Sequence, residues 1–482
     1  MKKIGCMTSG WAIGVFLLLL AASFPFTLHA QQCPSTFYDP GDKYVWQSSS
    51  SRVVAHDYID LSQLAAGSTD VCSAISAGLT QLGASVTQNC PVYNGNGVLD
   101  ARGITPTGSG TFSCQTSPFQ QPTGTSQPTQ YYVTILLPAG TINVSAPWVL
   151  PPNTRLIGQG SHNPTGNTLF QASSFSGAIL YMGDQQPYTG SGSLCRTNCN
   201  GISIEHLALD GGSTSGLDGI DNYYAQELNY VNDVALTNIA GTGLRIVGGA
   251  PYGVNYGANN SGPYTNIYFS GSGTCLNING TNNTRGVNGL DCHGTGTPSG
   301  PAILLDAHNN TIQNVSISGG YAGKDGVLIG SQGSYAQNNL LMNIGSTSVK
   351  NVVHISNTMG VPTDLTLMGI SGGTTSTIQD DVTSSNVPTD SKGLALYVLG
   401  EPIMSGANVL GYSRFTTSNS NGSSGSSGTP AWFQGPLAPG TACGTSTTVA
   451  NGSLYSITST ISSGTTLWGC IVGTWTKLSG NN

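Results

Sequence analysis

The sequence reads His206-Leu207-Ala208-Leu209 and, 27 residues later, Asp233-Val234-Ala235-Leu236. Both runs alternate an apolar residue with a small or polar one, which is the pattern of a half-buried β-strand. Five further runs of this kind follow: Asn266-Ile267-Tyr268-Phe269, Gly289-Leu290-Asp291-Cys292, Asn314-Val315-Ser316-Ile317, Asn343-Ile344-Gly345-Ser346 and Asp364-Leu365-Thr366-Leu367. The starts of successive runs lie 27, 33, 23, 25, 29 and 21 residues apart, and such a period is typical of solenoid repeats.

The segments between these runs indicate which kind of solenoid the chain forms. No helical period of about ten residues runs through the region, so a helical solenoid is excluded. Turn signals are spread over three short segments in each repeat, and a polar residue, often Asn or Asp, precedes the apolar pair. Stacked Asn side chains hydrogen-bond in ladders along parallel strands. The pattern favours an all-β, parallel β-helix; an antiparallel sandwich, with hairpin turns between paired strands, is the alternative.

Composition excludes several other classes of protein. Charged residues make up only 7% of the 482 residues, against about 25% in an ordinary soluble domain, which argues against coiled coils and long surface helices. The hydrophobic content of 38% argues against disorder. The formal net charge of −7 leaves no basic face for a nucleic acid, so we expect no nucleic-acid partner.

The N-terminus has the features of an export signal. Lys2 and Lys3 precede the apolar run 11–26, and Leu28-His29-Ala30 offers a small residue for cleavage. We therefore expect residues 1–30 to be a signal peptide and the mature protein to be secreted, to the extracellular space, the outer cell surface or the periplasm. No membrane span is expected after cleavage, and a retained N-terminal anchor is the alternative.

The cysteine count agrees with export. The chain has 11 cysteines, and removal of Cys6 with the signal leaves an even number that can pair in an oxidising compartment. The expected disulfides are Cys33–Cys90, Cys72–Cys114, Cys195–Cys199, Cys275–Cys292 and Cys443–Cys470. For Cys195 and Cys199 a zinc site is the alternative, although no second pair of ligands lies nearby.

The mature chain divides into four predicted parts. Residues 31–64 form an N-terminal extension, and residues 65–405 form the β-helix. The solenoid begins with a cap helix at about 70–82, for which Thr69 or Asp70 can act as the N-cap. One helical face of this segment carries four apolar residues: Val71, Ile75, Leu79 and Leu82.

The remaining two parts are a linker and a small module. Residues 406–435 are rich in Ser, Gly and Asn and are predicted to be a linker. Residues 436–482 contain three short β-like runs that the Cys443–Cys470 bridge would staple. These runs resemble the small terminal β-modules of bacterial and phage surface fibres, which implies a role in anchoring or in oligomer formation.

Two stretches near the start of the predicted coils resemble a known superfamily. Residues 136–143 (LLPAGTIN) and 150–160 (LPPNTRLIGQG) resemble the opening coils of the pectate-lyase-like superfamily, and the preceding amphipathic helix matches its N-terminal cap. The resemblance implies a single-stranded right-handed parallel β-helix. Members of the superfamily include polysaccharide lyases, glycoside hydrolases, phage tailspikes and non-catalytic surface proteins, so the implied partner is an extracellular polysaccharide and the activity stays open.

An acidic segment is the strongest candidate for catalysis. Asp218-Gly219-Ile220-Asp221 resembles part of the polygalacturonase motif Asn-Thr-Asp-x-x-Asp, with Gly216-Leu217 in place of Asn-Thr. Thr242-Gly243 stands where that family has its catalytic Asp-Asp pair, so the set is incomplete. Glycoside hydrolysis needs two carboxyl groups, one as acid and one as base or nucleophile. Asp218 and Asp221 are therefore catalytic candidates, together with Asp233.

A lyase would need different groups from the same segment. Lyases commonly neutralise a uronate with Ca²⁺ and use a Lys or Arg as base. Asp218, Asp221 and Asp233 could supply oxygen ligands for Ca²⁺ if the protein is a lyase, although no cofactor is firmly implied and the metal ligands are unknown. The alternative for each aspartate that precedes a glycine is a turn residue.

Further candidates lie outside this segment. Asp291 and His293 would share one strand face and are candidate catalytic residues, with a structural hydrogen-bonded pair as the alternative. The candidates for substrate binding are Tyr223, Tyr224, Tyr230, Tyr252, Tyr256, Arg245 and Arg285. Aromatic rings can stack on sugar faces. The alternative for the tyrosines is packing against other side chains, and the alternative for the two arginines is a solvated surface charge.

The sequence thus supports two hypotheses of function. In the first, the protein is a secreted, bacterial β-helix protein that binds or degrades extracellular polysaccharide as a lyase or glycoside hydrolase. In the second, it is a non-catalytic structural or adhesive cell-surface protein, and oligomers could form through the C-terminal module. The incomplete catalytic set and the low charge favour the second hypothesis, whereas the acidic and aromatic cluster favours the first.

Overall fold

The strands of the chain form two large sheets in a computed structural model. The structure describes residues 57–64, 69–86, 96–119, 132–161, 166–173, 175–183, 199–223, 225–248, 259–280, 285–330, 336, 338–356, 365–381, 396–399, 404–405, 432–435, 454–457, 467–471 and 474–479. Every strand pair within the two large sheets is parallel.

The larger sheet, sheet A, contains 16 strands. They are β1 (Asp57–Asp60), β2 (Asn96–Asp100), β3 (Thr111–Cys114), β4 (Tyr132–Leu136), β5 (Gly140–Val144), β7 (Thr154–Ile157), β8 (Thr168–Ala172), β10 (Ser203–Asp210), β12 (Tyr230–Ile239), β14 (Tyr264–Gly271), β16 (Val287–Gly294), β18 (Thr311–Gly319), β20 (Leu340–Ser346), β22 (Leu365–Met368), β23 (Ser371–Gly372) and β25 (Leu396–Leu399).

The second sheet, sheet B, contains ten strands. They are β6 (Trp148–Leu150), β9 (Ala178–Met182), β11 (Asp218–Tyr223), β13 (Thr242–Val247), β15 (Thr274–Gly280), β17 (Ile303–Ala307), β19 (Val327–Ile329), β21 (Asn351–Ile355), β24 (Ser376–Asp380) and β26 (Met404–Ser405). From β10 to β21 the chain alternates between the two sheets, and each strand pairs with the strand one coil later. The architecture is the predicted right-handed parallel β-helix, in which crossover connections take their usual hand.

One backbone position in each coil of sheet A from β10 to β23 takes a left-handed conformation. Its members have φ between 53° and 73° and are His206, Asp233, Asn266, Gly289, Asn314, Asn343 and Gly369. The strand register skips this position, since Glu205 pairs with Asn232 and the next pair is Leu207 with Val234. Asn, Asp and Gly tolerate this conformation best, which explains the polar residue before each apolar pair. We call these seven residues the left-handed column.

Amide side chains connect neighbouring coils, as the sequence predicted. Asn343 donates to Asn314 at 3.1 Å, and Asn314 donates to Asn288 at 2.8 Å. A buried ladder runs beside them, in which Asn339 accepts from the backbone of Asn310 at 2.9 Å. The buried ladder satisfies polar groups that would each cost about 1–3 kcal/mol if left unpaired, whereas the bonds of Asn314 and Asn343 are exposed.

The interior is filled by stacked rows of apolar side chains. One row takes one residue from each of six coils, all at most 3% exposed: Leu207, Val234, Ile267, Leu290, Val315 and Ile344. Full burial of such a side chain stabilises the fold by about 1.5–3 kcal/mol. The rows are continuous along the axis, so they form one core.

The predicted cap helix is present and is slightly longer than expected. Short helix α1 spans Leu61–Leu64, and α2 spans Val71–Val86, so α2 continues four residues beyond the predicted end. The carboxylate of Asp70 accepts the backbone N–H of Ser73 at 3.0 Å and caps α2. The predicted apolar face of α2 is at most 4% exposed: Val71, Ile75, Leu79 and Leu82.

Two predicted disulfides are present. Cys72–Cys114 ties α2 to β3 with a Cα–Cα distance of 5.0 Å, and Cys275–Cys292 joins β15 of sheet B to β16 of sheet A at 5.7 Å. Cys199 is also disulfide-bonded, and its predicted partner Cys195 lies outside the described residues. The predicted pairs Cys33–Cys90 and Cys443–Cys470 involve cysteines outside them as well.

The structure contains strands in both the predicted N-terminal extension and the predicted linker. Strand β1 and helix α1 lie within the predicted extension 31–64, and β1 pairs with β2 of sheet A. A third sheet, sheet C, contains β27 (Trp432–Gly435), β28 (Leu454–Ile457), β29 (Leu467–Ile471) and β30 (Thr474–Ser479). Its strand β27 lies within the predicted linker 406–435. The predicted signal peptide lies outside the described residues, among which none of the helices has the length and apolarity of a membrane span.

Candidate functional site

The outer face of sheet B carries two carboxyl groups and one guanidinium in a single cluster. Strand β11 lies between β9 and β13, so Asp221 pairs with Tyr181 on one side and with Arg245 on the other. The neighbouring residues Ile220 and Leu244 are fully buried in the core. Since side chains alternate along a strand, Asp221 and Arg245 point away from the core. We call Asp218, Asp221 and Arg245 the acid–arginine cluster.

Arg245 contacts both carboxyl groups. Its Nη2 donates to Oδ2 of Asp218 at 2.5 Å and to Oγ1 of Thr242 at 3.1 Å. The other oxygen of Asp218 accepts the backbone N–H of Thr242. Nε of Arg245 lies 3.4 Å from Oδ1 of Asp221, but the alignment is too poor for a hydrogen bond, and both of these buried atoms lack a hydrogen-bond partner. The cluster is therefore ion-paired but not saturated with hydrogen bonds.

Burial sets the protonation of the two acids. Asp218 is 5% exposed and Asp221 is 2% exposed. Burial raises the pKa of Asp218 and raises that of Asp221 well above its ordinary value, and the charge of Asp218 raises the pKa of Asp221 further. Ionisation of Asp218 opposes ionisation of Asp221, so the two acids titrate as an interacting pair. Burial opposes the charge of Arg245, but the two acids outweigh it and raise the pKa of Arg245.

Two tyrosines border the acid pair. The rings of Tyr181 and Tyr223 are stacked, with centroids 6.3 Å apart and an interplanar angle of 23°. The phenol oxygen of Tyr181 accepts the backbone N–H of Ala178 at 2.9 Å, and burial raises the pKa of Tyr181 to about 12. Both rings are less than 10% exposed. They exclude water from one side of the acids, which contributes to the raised carboxyl pKa values.

The geometry limits which chemistry the cluster can perform. In glycoside hydrolysis the two carboxyl groups stand about 5–5.5 Å or 6.5–9.5 Å apart, one on either side of the scissile bond, whereas Asp218 and Asp221 both lie against the single guanidinium of Arg245. The cluster also does not fit Ca²⁺ as it stands, because the positive guanidinium of Arg245 lies where a cation would lie. The arrangement can hold and transfer one proton beside a fixed positive charge.

Asp233 lies apart from this cluster. It belongs to β12 of sheet A and to the left-handed column, where its carboxylate contacts Nδ1 of His206 at 2.8 Å and accepts from the hydroxyl of Ser161 at 2.8 Å. The expectation that Asp233 joins Asp218 and Asp221 as catalytic residues or Ca²⁺ ligands is therefore corrected, since it is in a different sheet. Proximity in sequence suggested the grouping, but the coil turns between β11 and β12.

Asp291 and His293 share the outer face of sheet A, as expected from their spacing. Cys292 between them is buried in its disulfide, while Asp291 is exposed and His293 is half-buried. Nδ1 of His293 contacts the hydroxyl of Ser318 at 3.1 Å. These two residues therefore face solvent on a sheet other than that of the acid–arginine cluster.

Tyr230 belongs to a polar cluster on sheet A that the sequence did not indicate. Oε1 of Glu205 accepts from Tyr230 at 2.8 Å, from Ser203 at 2.8 Å and from Arg155 at 2.9 Å. Burial opposes the charge of Glu205, but these hydrogen bonds outweigh it and lower the pKa of Glu205. The side chain is an ionised acceptor and is not suited to be an acid. Its three partners come from three coils, so no local pattern marks it.

The remaining candidates for substrate binding are dispersed. Arg285 is exposed on the turn before β16, where its backbone N–H donates to Ser261 at 2.8 Å. Tyr224, Tyr252 and Tyr256 lie outside the described residues. Of the predicted substrate-binding residues, the structure brings only Arg245 and Tyr223 to the acids within its described part.

Comparison with known proteins finds structural neighbours. No protein-family profile and no curated protein sequence matches the chain. It aligns with ORF18 of Geobacillus virus E2 at 14% identity over 71% of this chain, with a TM-score of 0.39, and it spans 62% of that viral protein. It aligns with the A-module of the Azotobacter vinelandii mannuronan C-5 epimerase AlgE4 at 15% identity over 72% of this chain and 96% of the module, with a TM-score of 0.33.

A third solved structure is the A-module of the mannuronan C-5 epimerase AlgE6 from the same bacterium. The identity is 13%, the alignment covers 73% of this chain and 98% of the module, and the TM-score is 0.26. The assignment of this chain to the parallel β-helix fold rests on the strand pairing described above.

Proposed function

We propose that the protein binds an extracellular polysaccharide across the outer face of sheet B and modifies it at the acid–arginine cluster. The observation that carries the proposal is the buried pair of carboxyl groups, Asp218 and Asp221, which both contact Arg245 and have raised pKa values. Titratable groups perturbed by burial and by a specific charge partner are concentrated at functional sites.

The pair would supply an acid and a base at one place. With one acid protonated and the other ionised, the protonated carboxyl group can protonate a leaving oxygen while the other accepts a proton from the same sugar. Such close groups fit the elimination chemistry of a lyase better than hydrolysis, which places its carboxyl groups on either side of the bond. The side chain of Arg245 is 29% exposed, against 7% for Asp218 and 2% for Asp221, so it is the most accessible side chain of the cluster.

The proposal includes action outside the cell. The disulfides Cys72–Cys114 and Cys275–Cys292 suit an oxidising compartment, and the N-terminal sequence has the pattern of an export signal. The polymer is an expectation from the superfamily resemblance.

The test is product release from a panel of uronic-acid and neutral polysaccharides by the full-length protein. Asp221→Asn keeps the shape of the side chain but cannot take up or release a proton at that position, so we expect at least a 100-fold loss of rate, as for removal of a general acid or base. The matched control is Asp210→Asn on sheet A, which contacts Asn238 and the backbone of Gly212 and should keep the wild-type rate. Equal rates for wild type and Asp221→Asn on every substrate would exclude the cluster as the catalytic site.

A structural or adhesive role is the second candidate, and one observation favours it. Both acids are almost fully buried, and Asp218 accepts the backbone N–H of Thr242, as a residue that fastens neighbouring coils would. In that case Asp221→Asn changes stability alone, and wild type releases no product from any polymer. Retention of polymers without turnover would favour adhesion.

A further inference from the structure

A second charged cluster lies on the outer face of sheet B, toward the C-terminal coils. Nδ1 of His354 contacts Oδ2 of Asp325 at 2.7 Å, and Nε2 contacts Oδ2 of Asp381 at 2.9 Å. Asp325 precedes β19, His354 lies in β21, and Asp381 follows β24. These strands are neighbours in that order, so one imidazole joins three successive coils.

The contacts of His354 leave it without a role in proton transfer to a substrate. Both ring nitrogens are engaged by carboxylates, so neither is available to a sugar. Within the described part of the chain, no group of three or more His, Cys, Asp or Glu side chains could hold a metal ion. The arrangement is therefore a fastening between coils.

We propose that Asp325, His354 and Asp381 form a pH-dependent clamp, which holds three successive coils together in weakly acidic solution and loosens in alkaline solution. An imidazolium donates from both nitrogens and satisfies both carboxylates. A neutral imidazole has a single N–H, so its other nitrogen presents a lone pair to a carboxylate. Deprotonation thus turns one of the two attractive contacts into a repulsive one.

The pKa directions give the pH range of the clamp. Hydrogen bonds with Asp325 and Asp381 outweigh burial and raise the pKa of His354 above 6.5, so its stabilisation is complete below that value and is lost as pH rises through the raised pKa. For Asp325 and Asp381, burial raises the carboxyl pKa values. Their hydrogen bonds outweigh burial and lower both pKa values below 3.8. Their stabilisation is present above pH 3.8 and is lost as pH falls. The clamp is strongest between these limits.

Other polar and charged groups surround the clamp. Lys350 lowers the pKa values of both carboxyl groups, and Lys324 adjoins Asp325 and accepts the backbone N–H of Lys350 at 2.6 Å. Asn351 donates to Asp325 at 2.8 Å, and Gln379 donates to Asp381. On β19, the residue paired with His354 is the apolar Leu328. These contacts orient the carboxylates, and the imidazole is the group whose charge changes as pH rises from 6.5 through its raised pKa.

The test is hydrogen exchange of the full-length protein at pH 5.5 and pH 8.5, corrected for the intrinsic effect of pH on exchange. For wild type we expect amides of β21 and β24 to lose protection at pH 8.5, by up to about tenfold for every pH unit between the ordinary and the raised pKa of His354. Amides of β15, three strands away in sheet B, should show no comparable change. Equal corrected protection of β21 and β24 at both pH values would overturn the proposal.

Two variants separate the clamp from general destabilisation. His354→Gln keeps hydrogen-bonding groups without the charge, so its protection should be low at both pH values and the pH effect should vanish. His293→Gln is the matched control, because His293 contacts a serine hydroxyl and not a carboxylate, and it should keep the wild-type pH effect. If His354→Gln does not fold, Asp381→Asn keeps the contact with Asp325, and its pH effect should be smaller than that of wild type. An undiminished pH effect in either clamp variant would refute the proposal.

Discussion

The acid–arginine cluster and the His354 clamp lie on the same face of one sheet and contain the same kinds of group, two carboxyl groups and one base. Asp221 is 2% exposed, whereas the side chains of Asp325 and Asp381 are 18% and 42% exposed. The pKa values are raised in the buried cluster and lowered in the clamp. Desolvation outweighs pairing in the first cluster, and pairing outweighs desolvation in the second.

The difference gives the two clusters opposite responses to pH. A carboxyl group with a raised pKa stabilises the fold at low pH, and its contribution is lost as pH rises through the raised value. A carboxyl group with a lowered pKa contributes above its ordinary pKa, and that contribution is lost as pH falls. As pH rises, the buried acids stabilise their coils less, and as pH falls, the more exposed carboxylates of the clamp stabilise theirs less. Burial therefore determines which of the two responses a carboxyl group has.

The largest expected effect comes from removing the base of the buried cluster. Arg245→Met would leave Asp218 and Asp221 without a counter-charge, so we expect the free energy of unfolding to fall by about 3 kcal/mol at pH 8. The loss should be smaller at pH 5, because the acids can then take up protons. Urea denaturation at both pH values measures this, with the exposed Arg285→Met as the control. An equal loss at both pH values would contradict the assigned protonation.

A smaller effect is expected from removing one buried acid. In wild type, the raised pKa of Asp221 should make the free energy of unfolding fall as pH rises from 3.8 to the raised value, by about 1.4 kcal/mol for every pH unit between the two. Asp221→Asn removes this group, so its profile should be flatter than that of wild type. Thermal melting across the range would show the change, and parallel profiles would mean that Asp221 is ionised.

The smallest effect is expected from the same substitution in the clamp. Asp381→Asn should lower stability by about 0.5 kcal/mol, because its side chain is 42% exposed and solvent screens the pair. Because the pKa of Asp381 is lowered from 3.8, the loss should shrink as pH falls from 3.8 through the lowered value, and 0.5 M salt should reduce it (a screening length of about 4–5 Å). A loss that stays constant as pH falls through this range would indicate a packing defect.

The repeat in the sequence was sufficient to favour a parallel β-helix over an antiparallel sandwich, and the superfamily resemblance supplied its right-handed form. The alternation in His206-Leu207-Ala208-Leu209 and its successors reflects inward and outward positions of sheet A, and the polar residue before each apolar pair reflects the left-handed column. The cap helix followed from its apolar face. These features depend on local spacing, which a sequence displays directly.

The candidate site was only partly predictable, because its residues come from several coils. Asp218 and Asp221 lie on one strand and were identified together, whereas Arg245 was identified as a separate contact for substrate. Since coil lengths vary, the sequence does not reveal that Arg245 pairs with Asp221 or that Tyr181 lies on the other side. Asp233 is near in sequence but belongs to the other sheet.

The clamp was missed for the same reason. His354 is separated by 29 residues from Asp325 and by 27 residues from Asp381, and none of the three lies in a recognisable motif. Contacts between coils depend on register, and register follows from the three-dimensional stacking.

A coil of this protein can change length without losing its register. Members of the left-handed column lie 27, 33, 23, 25, 29 and 26 residues apart, yet the strands on both sides of the column stay aligned. The connections that return from sheet B to sheet A differ in length, since 3 residues lie between Ala307 and Thr311 and 16 lie between Val247 and Tyr264. Foreign peptides grafted into these connections should therefore be displayed at regular heights along a rigid rod, whereas a single residue inserted beside the column would shift a whole strand by one position and turn its apolar side chains outward.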